Sequence, residues 1–115
     1  MDYLEQLLKA MADKNRLRIL KLLERRRMCV CELAFVLGIA QPSVSRHLKK
    51  LSAADLIDDE QDGLWKNYHL KTSNPYTRLM LNNLRIWLND NPLILQDQLK
   101  AEQADRKYLC ATNSS

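Results

Sequence analysis

Apolar positions along the chain follow one period for most of its length and a second period in a single short stretch. Leu4, Leu7, Leu8 and Met11 recur at helical spacing behind Asp2, which stands as an N-cap. The pattern restarts at Asp13, another cap, with Leu17, Ile19, Leu20 and Leu23 as a wide apolar stripe, and Arg25, Arg26 and Arg27 close that helix where its dipole favours cations. Cys29-Val30-Cys31-Glu32 then reads as a capping box with cysteine in the Ser/Thr place, opening a two-turn helix through Leu33, Phe35, Val36 and Leu37 that stops at Gly38. Pro42 opens the next helix, and Val44, Leu48 and Leu51 share one face of it. Helix, glycine-containing turn and helix make a helix-turn-helix.

From Leu56 to Leu70 the period drops to two. Asp62-Gly63 marks a tight turn between two strands, with Leu64, Tyr68 and Leu70 alternating on one side, so a hairpin, or wing, follows the second helix of the motif. After Asn74 the helical period returns through Tyr76, Leu79, Met80, Leu84, Trp87 and Leu88, and Pro92 starts a further short helix with Leu95 and Leu99 inward. The predicted fold is therefore mainly α with a small β-hairpin: a winged helix-turn-helix spanning residues 1–105, followed by a flexible tail, 106–115. The terminal helices are more apolar than one small domain can bury, so they are expected to form a homodimer interface.

Composition narrows the function. The 115 residues are 46% apolar, enough for an ordinary core, and include only two glycines, which suits long helices. No stretch resembles a signal peptide or a membrane span, so a cytoplasmic protein without a membrane partner is expected. Three cysteines in a reducing compartment favour thiol or metal chemistry over a disulfide framework. Residues 1–56 hold 11 Lys/Arg against 6 Asp/Glu, whereas residues 57–73 hold 2 against 4. Positive charge thus gathers around the helix-turn-helix, as on a nucleic-acid face, and the wing is acidic.

On the second helix of the motif, Ser43, Arg46 and Lys50 lie opposite the apolar face, flanked by Ser45, His47 and Lys49, with Gln41 at the cap. Arg can read a guanine edge, and Ser, Gln and Lys suit bases and phosphates in the major groove. His47 reads equally as a helix-packing residue. Asp58, Asp59, Glu60 and Asp62 leave Lys66, and after it Lys71, as the wing's cations, so the wing is expected to add little. A twofold dimer sets two reading helices about 34 Å apart on double-stranded DNA, which calls for an operator close to a palindrome.

The cysteines raise a second chemistry. Both Cys29 and Cys31 sit at a positive helix start near three arginines, which predicts easier ionisation, and thiolates select soft thiophilic ions. Residues two apart lie ~200° apart around a helix or ~6.5 Å apart along a strand, whereas two sulfurs bound at ~2.3 Å to one ion must come within ~4.6 Å. Ligation is therefore expected to unwind or re-aim that first turn.

The run CVCELA followed by QPSVSRHLKKL, a hairpin and flanking helices resembles the ArsR family of metalloid- and metal-responsive bacterial repressors, in its arsenical branch, over residues 4–90 or so. The resemblance implies a homodimeric repressor, not an enzyme, released from its operator when arsenite or antimonite binds thiolates beside Cys31. Where that branch often carries a third cysteine one turn on, this chain has Ala34; Cys110 is then a candidate third ligand, in cis or from the partner, with two thiolates plus a non-protein ligand as the alternative. With only His47 and His69, neither in the long carboxy-terminal helix, a four-ligand zinc site is hard to assemble. A thiol-redox sensor pairing Cys29 or Cys31 with Cys110, and a sensor of soft divalent metals, are alternatives on the same scaffold. A dithiol oxidoreductase is disfavoured by the lack of a general base beside the thiols.

Overall fold

The computed structural model describes residues 1–104, in the order α1 (Asp2–Met11), α2 (Lys14–Leu23), α3 (Val30–Leu37), α4 (Gln41–Ala53), β1 (Ile57–Asp62), β2 (Trp65–Leu70), α5 (Pro75–Ile86) and α6 (Pro92–Glu102). One core joins them, built from Leu7 and Met11 of α1, Ile19, Leu20, Leu22 and Leu23 of α2, Leu33 and Val36 of α3, Val44, Leu48 and Leu51 of α4, and Leu81 and Leu84 of α5. The winged helix-turn-helix expected from the sequence is the fold observed. The tail proposed for 106–115, with Cys110, lies outside the described residues.

Local chemistry sets the element boundaries. Asp13 caps α2, accepting the Arg16 N–H at 3.0 Å, and Asn74 and Asn91 cap α5 and α6 through their side-chain oxygens. Asp2 is not a cap: Met1 holds that place, and Asp2 and Glu5 sit in the first turn, where the helix dipole favours them. Gly38 ends α3 at φ +71°, a left-handed turn that returns its N–H to Ala34 O at 2.9 Å. α4 carries Pro42 in its first turn and buries Val44, Leu48 and Leu51 as the apolar spacing predicts.

The wing pairs Ile57 with Leu70 through Asp62 with Trp65, antiparallel. Its turn therefore falls on Gly63-Leu64 rather than Asp62-Gly63. Gly63 supplies the left-handed residue, φ +61°, and Leu64 projects from the tip at 90% exposure instead of joining Tyr68 and Leu70 against the core. A third backbone strand is present in miniature: Met28 exchanges both hydrogen bonds with Tyr68, at 2.9 and 3.3 Å, tying the residue before Cys29 to the wing.

The carboxy-terminal helices depart most from the apolar periodicity. α5 stops at Ile86 because the chain turns extended at Trp87 and left-handed at Leu88, φ +66°, so these two residues do not continue its stripe. On α6 the inward residues are Ile94, Asp97 and Ala101, whereas Leu95 and Leu99, expected inward, are 46% and 64% exposed. The rotation is set by a polar anchor: Arg18 of α2 holds both oxygens of buried Asp97, at 2.8 and 2.9 Å. α5 is fastened similarly by Lys21, 1% exposed, which reaches Leu84 O and Asn89 Oδ1 at 2.9 Å each and Glu24 at 2.9 Å.

Asp97→Ala leaves the Arg18 guanidinium with no carboxylate in a buried site and is expected to cost about 3 kcal/mol, a fall in Tm of more than roughly 10 °C in thermal unfolding. The double replacement Arg18→Met with Asp97→Leu should recover most of that loss.

Candidate functional site

α4 presents two faces. Opposite the buried Val44–Leu48–Leu51 edge, Ser45, Arg46, Lys49 and Lys50 are exposed, and Gln41 and Ser43 are half-exposed at the amino-terminal end. Arg46 Nη2 donates to Ser43 Oγ at 3.1 Å, which holds the guanidinium along the first turn, beside the residues that an amino-terminal approach to a groove would use. Lys66 is exposed on β2 among the wing's carboxylates.

His47 is placed differently from the other DNA-facing candidates. Half-buried like Gln41 and Ser43, it turns its Nδ1 to within 3.2 Å of Arg16 Nη1 on α2. Burial, reinforced by Arg16, Lys50 and Arg46 against the opposing pull of Asp13, holds its pKa below the ordinary histidine value. Its Nδ1 edge thus packs against α2. His69 sits in the wing with Nδ1 3.2 Å from Leu70 O.

The start of α3 forms the anticipated capping box. Cys29, extended at φ −92° and ψ 171°, precedes the helix; its N–H donates to Glu32 Oε1 at 3.0 Å, and its sulfur faces the Glu32 N–H in return. The electrostatics differ from those expected for Cys29. Its side chain is buried, at 3% exposure, and burial, with the Glu32 carboxylate adding to it, pushes the thiol pKa up. The arginines do not offset this, because each is engaged elsewhere: Arg25 with Gln98 at 3.0 Å, Arg26 with Glu32 at 2.8 Å and Ala101 O at 3.1 Å, and Arg27 with Glu60 at 2.6 Å. Helix-start and charge arguments predicted the opposite because periodicity does not reveal that Glu32 is itself buried.

Cys31, in the first turn, is half-buried, and Gln41 Nε2 donates to its sulfur at 3.7 Å. The Cys31 sulfur and the first residue of α4 are therefore in contact, a pairing that spans ten residues and left no mark in the sequence. Ala34 occupies the position one turn beyond, and among the described residues no group of three or more His, Cys, Asp or Glu side chains could hold a metal ion. Two sulfurs are present at the site; Cys110, the candidate third, is outside the described residues. Among the described residues no helix is long and apolar enough to cross a membrane.

Residues 13–59 match the family model for bacterial regulatory proteins of the arsR family. The chain is 33% identical over 109 residues, 90% of its length and 84% of the relative's, to the arsenic resistance transcriptional regulator ArsR1 of Pseudomonas putida. It is 42% identical over 71 residues to the arsenical resistance operon repressor of Escherichia coli, a match spanning 61% of each chain. In architecture it is similar to a homodimeric winged helix-turn-helix DNA-binding domain of Mycobacterium bovis, with a TM-score of 0.65 over 77% of this chain and 81% of that one at 21% identity.

If burial governs Cys29, its alkylation by iodoacetamide in a Cys31→Ser, Cys110→Ser background should show a pH midpoint above the free-cysteine value of about 8.5, and the difference should vanish in denaturant. A midpoint below that value would show a thiol activated by the helix start after all.

Proposed function

The chain belongs to the arsR family of bacterial regulatory proteins, and from that membership and the geometry of its two candidate sites we propose that it is a homodimeric operator-binding repressor released by arsenite or antimonite captured on Cys29 and Cys31. Its relatives are transcriptional regulators rather than enzymes. In this reading Gln41, Ser43, Ser45 and Arg46 face base edges and phosphates, Lys50 binds backbone, and Lys66 is the wing's cation. The dimer forms through the faces that one protomer leaves uncovered, Leu4 and Leu8 on α1 and Tyr76, Leu79 and Ile86 on α5, all at least 40% exposed.

The observation that carries the switch is the contact between Gln41 and Cys31 beside the capped, buried Cys29. Arsenite exchanges a hydroxide for each thiol, the thiol proton leaving with it as water, so a thiol of raised pKa still reacts and the gain lies in the As–S bonds. Capture of both sulfurs draws Cys29 out of its cap and withdraws the Cys31 sulfur from Gln41. The first breaks the start of α3, and the second frees a residue of the reading helix. Metalloid and DNA affinities then oppose each other with reciprocal coupling of about 1–3 kcal/mol or more. Cys110 is the candidate third donor.

Fluorescence anisotropy on an operator duplex tests this reading. Arsenite should release the parent protein, Cys29→Ser and Cys31→Ser should stay bound, and the response of Cys110→Ser fixes whether the third sulfur takes part. Operator affinity unchanged by arsenite would overturn the switch, and release by peroxide alone would transfer the function to redox sensing. Without arsenite, Arg46→Ala should cost about 1–3 kcal/mol of discrimination at one base position, and Lys66→Ala should cost less and equally across sequences.

A further inference from the structure

Where α1 ends, α2 begins and α4 crosses both, one buried guanidinium serves all three helices. Arg16 is 9% exposed; its Nε donates to Ala10 O at 2.7 Å and its Nη2 to Lys9 O at 3.3 Å, both at the carbonyl end of α1, where intrahelical donors run out. Its Nη1 lies 3.8 Å from Asp13, the cap of α2, and 3.2 Å from His47 Nδ1 on α4. Since a guanidinium offers only donors, the facing His47 nitrogen accepts and the neutral ring carries its hydrogen on Nε2.

We propose that Arg16 and His47 are positioning residues for operator binding: the pair sets the tilt of α4 against α1 and α2, and holds it only while His47 is uncharged. The inference rests on the operator-binding reading but not on arsenite. α1 also carries the Leu4 and Leu8 face assigned to the dimer, so the tilt of α4 against α1 sets the separation of the two reading helices. A second proton on the ring puts an N–H donor and a positive charge against Arg16, whose own hydrogens already point there. Of the charges around the ring, Arg16 from α2 and Arg46 and Lys50 from α4 oppose that proton, and Asp13 favours it. The Asp13 carboxylate is already engaged by the Arg16 N–H at 3.0 Å, and α1 lines the adjoining groove with Asp2, Glu5 and Lys9. Because the folded ring titrates below the ordinary 6.5, it is neutral at pH 7; the contact is whole above that value and lost as pH falls beneath it.

The test uses a duplex that the parent protein selects from a random-sequence library, with anisotropy read from about pH 7.5 to about 5.5 at constant ionic strength and circular dichroism to confirm folding. The parent and the control His69→Gln should lose operator affinity roughly fivefold or more on acidification. His47→Gln, whose amide oxygen can accept from Arg16 and does not titrate, should show no such loss. His47→Leu, with no acceptor, should bind more weakly than the parent at the upper pH while keeping its helix content. Parent affinity that stays level or rises with acid, an unchanged acid response in His47→Gln, or parent-like binding by His47→Leu would each overturn the proposal. Failure to select any duplex would overturn the operator reading, and this inference with it.

Discussion

Glu32 is a carboxylate buried at the third position of an eight-residue helix, and the site is organised around keeping it satisfied. One oxygen takes the Cys29 N–H at 3.0 Å and the other takes Arg26 at 2.8 Å, while Arg26 reaches on to Ala101 O of α6. A charge so enclosed tolerates the loss of a partner poorly, because the desolvation already incurred is no longer offset. Cys29 is thus held at the helix start from both sides: by the cap ahead of it, and by Met28, bonded to Tyr68 of the wing, behind it. Whatever moves that cysteine disturbs the wing, α3 and the carboxy-terminal helix together.

The reading helix hangs from the same framework at two points. Gln41 at its start touches Cys31, and His47 in its middle touches Arg16, which closes the end of α1. Between them the Val44–Leu48–Leu51 edge supplies apolar adhesion that is indifferent to small rotations, so the polar contacts fix the angle. The proposed metalloid switch acts at the first point and the proposed acid sensitivity at the second. Both alter the aim of α4, the first through Gln41, itself one of the residues assigned to DNA, and the second through His47, away from Ser43, Ser45 and Arg46.

Much of this was legible in the order of residues. The Cys29–Glu32 capping box, the glycine stop, Pro42 and the Val44–Leu48–Leu51 spacing each act within a few residues and appear where local chemistry puts them; the local exceptions are Asp2, which lies inside α1 with Met1 as its cap, and the one-residue shift of the hairpin turn to Gly63-Leu64. Periodicity misjudged α6, where a buried Asp97–Arg18 pair rather than Leu95 and Leu99 turned the helix; a polar residue facing inward is invisible to a rule that looks for apolar ones. The ionisation expected of Cys29 failed for a related reason. The sequence showed a helix dipole and three arginines, but not that Arg25, Arg26 and Arg27 would each be engaged by Gln98, Glu32 and Glu60. The Cys31–Gln41 and Arg16–His47 contacts join separate helices, and only the assembled fold brings them together.

Amide hydrogen exchange at the start of α3 tests the central claim most directly, since Cys29 N–H depends on Glu32 and Leu33 N–H on Cys29 O at 3.1 Å. With arsenite bound at the stoichiometry shown by mass spectrometry, both amides should exchange faster while those of Leu20 and Leu48, in the core, keep their protection. Bound arsenite with the Cys29 and Leu33 amides as protected as before would contradict the account, because the thiols would then have closed on the metalloid without opening the cap.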